Sequence, residues 1–216
     1  MKRCIAFIVI FLFRLTPVLA INTQARDTFW MYLSKMHTYR ANFKQITRDA
    51  NGRIVQHSHG SVALMRPGRL KWETLYPTRQ VLFVNNNTVW IYDADLQQAS
   101  QHRLNTGNPN NFGTLLSSSI VQMRRQFIVE SVQAQHGQMC FLLYTRQASI
   151  DQEVDNSKIT LCFKDKILQS MSLTHDFGGR TQFLFFNIRL NHFISPATFS
   201  FVPPDHIDVI DQNKNI

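Results

Sequence analysis

From Gly60 to Gln101 the chain alternates apolar and polar residues in short runs, each cut by a turn signal. The cuts are Arg66-Pro67-Gly68, Tyr76-Pro77, Asn85-Asn86-Asn87 and Asp93-Ala94-Asp95. A period of two belongs to a strand. Strands this closely spaced can pair only as antiparallel neighbours, because parallel pairing needs a crossover of a dozen residues or more. Val62, Leu64, Leu70, Trp72, Leu82, Val84, Trp90 and Tyr92 make an apolar series through the stretch. Arg66 stands where that series wants another apolar residue, and no nucleophile, metal cluster or phosphate loop interrupts it.

The same texture extends in both directions. Tyr39 to Thr47 alternates, Asp49-Ala50-Asn51-Gly52 is a hairpin signal, and a strand returns from Arg53 to Met65 with Gly60 as a candidate bulge. A second meander is expected over 127–135, 138–146, 158–164, 167–174 and 181–188, with Phe199-Ser200-Phe201 opening a last short strand that Val202-Pro203-Pro204 ends. Two segments break the period. Asn22 or Thr23 can cap a helix from about Gln24 to His37, in which Phe29, Tyr32, Leu33 and Met36 share one face. After the loop Thr106 to Asn111, with Asn108 or Asn111 as cap, Phe112, Leu115, Leu116 and Ile120 make another apolar face. Ser117-Ser118-Ser119 is a poor helix interior, so two short helices are expected there, running to Arg124 or Arg125.

A sheet this long must curl or close. The expected fold is therefore mainly β: an incomplete, half-open antiparallel β-barrel covered by an N-terminal helix and central short helices, in a single domain spanning 21–216. The candidate lining of its apolar cavity is Leu64, Leu70, Trp72, Leu82, Trp90 and Tyr92 from the first meander, Leu115 and Leu116 from the short helices, and Phe141, Leu143, Phe183 and Phe185 from the second meander. Phe is over-used, 17 of 216 residues, which suits a large core or an apolar cavity.

The first 20 residues have the form of a secretory signal. Lys2 and Arg3 precede the apolar run Ile5 to Phe13, too short to span a bilayer, and Pro17-Val18-Leu19-Ala20 supplies small residues for cleavage after Ala20. Arg14 departs from that form, and Cys4 lies too early to be a lipid-modified cysteine. Cleavage leaves 20 of the 23 basic residues against 14 acidic ones, a charge of +6. Export and the scatter of Lys and Arg along strands argue against nucleic acid and favour an acidic protein partner or an anionic membrane surface. Cys140 and Cys162 remain, on two runs that look like neighbouring strands. They are either a disulfide, as an exported chain permits, or two thiols on one face.

Catalytic constellations are missing. His57 and His59 would point to one side of a strand, but no Cys, Asp or Glu completes a metal set. Asp93-x-Asp95 suits a turn, Ser117 to Ser119 lack a G-x-S-x-G setting, and neither paired carboxylates nor a glycine-rich phosphate loop is present. No metal or cofactor and no enzymatic activity are expected. Arg66 has two readings. Turned inward it must find acceptors, because it stays charged, and backbone carbonyls at the end of a helix would serve. Turned outward it is an ordinary exposed arginine beside a turn.

Several elements, in order along the mature chain, resemble the periplasmic outer-membrane lipoprotein carrier family, LolA. They are Ala41-Asn42-Phe43-x-Gln45, then Gly60-x-Val62-x-Leu64-x-Arg66-Pro67-Gly68-x-Leu70-x-Trp72, then Val89-Trp90-x-Tyr92-Asp93-x-Asp95-x-x-Gln98, then Gly107-Asn108-Pro109 before Leu115-Leu116, and last Phe199-Ser200-Phe201-x-Pro203-Pro204. The resemblance implies an incomplete antiparallel barrel with a helical lid, and a monomeric periplasmic carrier of acylated lipoproteins. Such a carrier takes cargo from an inner-membrane ATP-driven transporter complex and hands it to an outer-membrane lipoprotein receptor. It implies that Arg66 holds the lid closed through lid backbone. Arg14 and the Cys140/Cys162 pair depart from the family pattern. Two other functions fit less: a carrier or sensor of free lipids or glycolipids on the same fold, and an exported hydrolase.

Overall fold

The structure is a computed structural model, and it describes residues 18–103, 112–135, 137–146, 158–175 and 178–211. Most of the signal segment, Cys4, Arg14, the loop 104–111 with its candidate caps and Gly107-Asn108-Pro109, and His136 lie outside those residues.

Among the described residues 12 strands form one sheet. After helix α1 (Val18–Ser34) come β1 (Thr38–Arg48), β2 (Ile54–Met65), β3 (Arg69–Tyr76), β4 (Gln80–Asn85), β5 (Thr88–Asp93) and β6 (Gln98–Arg103). The short helices α2 (Phe112–Ser117) and α3 (Ile120–Gln126) follow. The second meander is β7 (Phe127–Gln135), β8 (Gln138–Thr145), β9 (Lys158–Lys164), β10 (Ile167–Thr174) and β11 (Arg180–Leu190). A 3-10 turn (Pro196–Phe199) and β12 (Asp208–Asp211) end the order.

The spatial order is β12-β6-β5-β4-β3-β2-β1-β11-β10-β9-β8-β7. β1 joins the two meanders by pairing with β2 on one side and β11 on the other. β7 and β12 are the two edges, so the sheet wraps without closing. One hydrophobic core runs from Val89 on β5 through Phe43, Leu64 and Phe183 to Val129 on β7, with Phe29 and Leu33 of α1 inside it. This is the half-open barrel with helices over its concave side. Phe29 and Leu33 of α1 are buried as expected, Tyr32 is half-buried beside them, Met36 is buried just beyond the helix, and Phe29 lies 5.2 Å from the Phe141 ring.

Three details differ from the sequence expectation. Helix α1 begins at Val18, ahead of Asn22 and Thr23, and stops at Ser34, before His37. The residues Phe199 to Phe201 are not a strand. Pro196 and the Pro203-Pro204 pair lack backbone N–H donors, and the segment instead crosses the convex face as a 3-10 turn and extended chain. The last strand lies beyond those prolines, at β12, and pairs parallel with β6.

Gly60 sits at a bulge, where the β2–β3 register shifts between His59 and Gly60. It also lies directly opposite Phe43 on β1. Asp49 shapes the first hairpin: its Oδ1 accepts from the Asn51 and Arg53 amides, 2.9 Å each, while Gly52 takes φ +79°.

Candidate functional site: an apolar concave face under a latched pair of helices

Directly opposite residues on antiparallel strands share a face. Leu64, Leu70, Val84 and Val89 therefore make one row across β2 to β5, and Trp72, Leu82 and Ile91 make the next. Both rows point into the main core. From the other meander Phe183 and Phe185 meet them: the Trp72 ring lies 4.3 Å from Phe43, 5.1 Å from Phe183 and 6.2 Å from Phe185. Phe141 and Leu143 are fully buried on β8, with Phe141 beneath Phe29 of α1.

Trp90 and Tyr92 are not on this face. Their cross-strand partners are Phe83 and Val81, and both rings turn to the convex side against Phe201, at 5.4 Å each. The inward residues of β5 are Val89 and Ile91. The expected parity is off by one because β5 is apolar on both faces, the second face being covered by the C-terminal segment.

Helices α2 and α3 close the concave side. Leu115 and Leu116 are buried, as is Met123 of α3. The Ser117-Ser118-Ser119 link separates them. Ser119 starts α3 with a capping box: its Oγ accepts from the Gln122 amide at 3.2 Å, and Gln122 Oε1 accepts from the Ser119 amide at 3.0 Å. The expectation of two short helices divided at these serines is met.

Arg66 turns inward. Its Nη1 donates to the Ser118 carbonyl oxygen at 2.6 Å and lies 3.4 Å from Met123 Sδ. The residue as a whole is half-buried, yet Nε and Nη2 are sealed from solvent and find no acceptor among the described residues. Burial pushes the guanidinium down to about 10, so it remains charged at neutral pH. A second tie lies beside it: the Gly68 amide donates to the Ser117 carbonyl oxygen at 2.8 Å. Gly68 takes φ +82°, a conformation that favours glycine. The turn Arg66-Pro67-Gly68 thus holds two consecutive carbonyls of the link between the helices. The acceptors are backbone atoms of serines, which sequence patterns do not mark.

The gap bounded by Tyr39, Leu64, Leu116 and Phe185 has no room for a water. Further along the concave face an open cavity of about 440 Å³ is lined by Gln45, Ser58, Trp72, Thr74, Leu82 and Ile91. Among the described residues the concave side is thus tight at this point beneath α2 and open further along β2 to β5.

His57 and His59 face the convex side, opposite Ile46 and Lys44. Among the described residues no three His, Cys, Asp or Glu side chains come together as a metal set. No helix among them is long and apolar enough to cross a membrane.

Cys140 on β8 lies directly opposite Cys162 on β9, and their sulfurs are bonded at 2.07 Å. The two half-cystines are 22 residues apart. A crosslink over a loop of that size stabilises by about 3 kcal/mol through the unfolded chain. Replacing both by Ser is expected to lower the urea midpoint correspondingly. Reduction of the unfolded wild-type chain should add the mass of two hydrogens, and an unchanged mass would rule the bridge out.

Comparison with known proteins fits this geometry. The family model described as "Outer membrane lipoprotein carrier protein LolA" matches residues 34–202. The chain belongs to the LolA family. It is 35% identical over 211 residues, 98% of this chain and 98% of the other, to an outer-membrane lipoprotein carrier protein of Coxiella burnetii (strain CbuK_Q154). It is 32% identical over 200 residues, 93% of this chain and 94% of the other, to the protein of that name from Azotobacter vinelandii. Among solved structures, an uncharacterised conserved protein from Thermus thermophilus superposes with TM-score 0.53 at 11% identity, covering 88% of this chain and 98% of that one. That likeness concerns the fold alone. In this LolA chain the matched range covers β1 to β11, Arg66 and both short helices α2 and α3.

Proposed function

We propose that the mature chain, residues 21–216 after signal cleavage, is a monomeric periplasmic carrier that shields the acyl chains of lipoproteins between the two membranes. It accepts them from an inner-membrane ATP-driven transporter complex, passes them to an outer-membrane lipoprotein receptor, and changes no covalent bond. The observation that carries this reading is an apolar concave face covered by two short helices whose link is tied to one inward-turned arginine. Names of the relatives point the same way.

The energetics require such a tie. Each buried methylene contributes about 0.8 kcal/mol. Two or three long acyl chains, all fully buried, would then surpass the roughly 18–21 kcal/mol ceiling of non-covalent binding, and the cargo would never leave. Opening the lid must offset part of that gain. Breaking the Arg66–Ser118 and Gly68–Ser117 hydrogen bonds and withdrawing Leu115, Leu116 and Met123 from the core is such a cost.

An environment-sensitive apolar dye is expected to bind the purified mature protein and to be displaced by a synthetic N-terminally diacylated peptide, but not by the same peptide without its acyl chains. Equal competition by the two peptides would count against an acyl-binding face. Native mass spectrometry of protein taken from its own periplasm adds the identity of the cargo. A co-purified acylated polypeptide supports the carrier reading, and a bare lipid would replace it by a free-lipid carrier.

A further inference from the structure

Among the described residues only one nitrogen of the Arg66 guanidinium has an oxygen acceptor. Nη1 holds the Ser118 carbonyl, while Nε and Nη2 are shielded from water without a partner among the described residues. Donors of a buried charged group left in that state are costly. Opening the lid for hydrocarbon does not relieve them. It takes the Ser118 oxygen away as well, and acyl chains bring no acceptor. The closing role needs one acceptor for Nη1, and contact with hydrocarbon alone would leave Nε and Nη2 unused in the open state as well.

Acylated cargo brings more than hydrocarbon. Each chain is joined through an ester or amide, and its carbonyl oxygen is a hydrogen-bond acceptor at the head of an apolar chain. We propose that Arg66 is the binding site for these linkage carbonyls, exchanging the Ser118 oxygen of the lid for the ester or amide oxygens of the cargo. The Nε–Nη2 edge of a guanidinium presents parallel donors suited to two oxygens at once. The position fits. Arg66 follows the last residue of β2 at the lid end of the concave face, and Ser58, at the open cavity, lies eight residues back along the strand. That is a span of about 26 Å at strand spacing. Carbonyls held at Arg66 would aim the chains along the inward side of β2 toward Trp72, Leu82 and Ile91. Arg66 then does two things: it keeps the empty protein shut, and it favours acyl linkages over plain hydrocarbon.

The inference rests on the carrier reading, and its test separates the two. A synthetic S-diacylglyceryl peptide with ester linkages is compared with its dialkyl ether, in which each carbonyl is a methylene, by calorimetry on the mature protein. Hydrophobicity alone makes the ether the tighter ligand, since a polar group has become apolar. Carbonyl binding at Arg66 reverses that order: the ester should bind roughly tenfold or more tightly than the ether to wild type. In Arg66→Leu the preference should vanish or invert, and the ether should bind this variant more tightly than it binds wild type. If Arg66→Leu does not fold, Arg66→Lys takes its place, and the ratio should shrink because an ammonium cannot span two oxygens. Equal affinities for ester and ether in wild type, or a wild-type ratio in either variant, overturn the proposal while leaving the carrier reading standing. Failure of both lipopeptides to bind overturns the carrier reading and the proposal with it.

Discussion

Arg66→Leu is expected to leave the protein folded, with Tm within about 4 °C of wild type or above it, and to tighten binding of a carbonyl-free apolar dye roughly tenfold or more. The stability half follows from the side chain's unfinished hydrogen bonding. The variant forfeits one bond to the Ser118 oxygen at 2.6 Å, but it also removes a sealed charge whose Nε and Nη2 lack acceptors. Replacing a buried charged group by an apolar one of similar volume is often neutral or stabilising. For a domain of this size about 1 kcal/mol corresponds to about 2–4 °C. The binding half follows from the latch role proposed for Arg66, through its bond to the Ser118 oxygen. A hydrogen bond to a charged group is worth about 1.5–3 kcal/mol. A ligand without carbonyls must break that bond in wild type and receives nothing back, whereas in the variant that bond is absent and only the Gly68–Ser117 tie and the helix packing, common to both proteins, remain to be broken. Thermal melts and a fluorescence titration check the two halves separately. A large fall in Tm with unchanged dye affinity would make Arg66 a structural prop and remove it from the opening of the lid.

Much of this arrangement is readable in the sequence, and what escapes does so for identifiable reasons. The alternation over Gly60 to Gln101 yields the strands most plainly on β3, where Arg69, Lys71 and Glu73 alternate with Leu70 and Trp72. It yields the wrong face for β5. There Thr88-Val89-Trp90-Ile91-Tyr92-Asp93 is apolar on both sides, so the period fixes no phase. Only the covering segment decides it, and that segment itself reads as a strand. Phe201 lies against Phe83 at 5.2 Å and supplies the convex partner that Trp90 and Tyr92 need. The direction of Arg66 is open for a similar reason, since the turn that follows it frees the side chain from strand parity. The lid is legible through Ser119 and Gln122, a capping box three residues apart. Its contact with Arg66 is not, because the acceptors are carbonyls, which every residue has.

Gly60→Ala is expected to be among the most damaging single changes in the sheet, at or above the upper end of the about 1–3 kcal/mol typical of overpacking. The glycine lies where two close approaches meet. A methyl group there would collide with the backbone carbonyl oxygen of Glu73 on β3 and come within 2.9 Å of Phe43 Cζ. The carbonyl cannot yield without disturbing the ladder at the β2–β3 bulge, where His59 pairs with Tyr76 and Gly60 with Thr74. The ring cannot yield freely either. Phe43 is fully buried and held 4.3 Å from Trp72 and 6.0 Å from Phe183. An aromatic laid over a cross-strand glycine thus links the two meanders through Trp72 on β3 and Phe183 on β11, and the bulge bends β2 around it. Urea unfolding measures the cost, and a Phe43→Leu background divides it. If the ring carries the clash, Gly60→Ala should cost clearly less there. If the Glu73 carbonyl carries it, the cost should persist in full. A midpoint equal to wild type in the single variant would mean that the sheet tolerates a side chain between β1 and β3. The close packing of Phe43, Gly60 and Trp72 would then not be what fixes the curvature of the concave face.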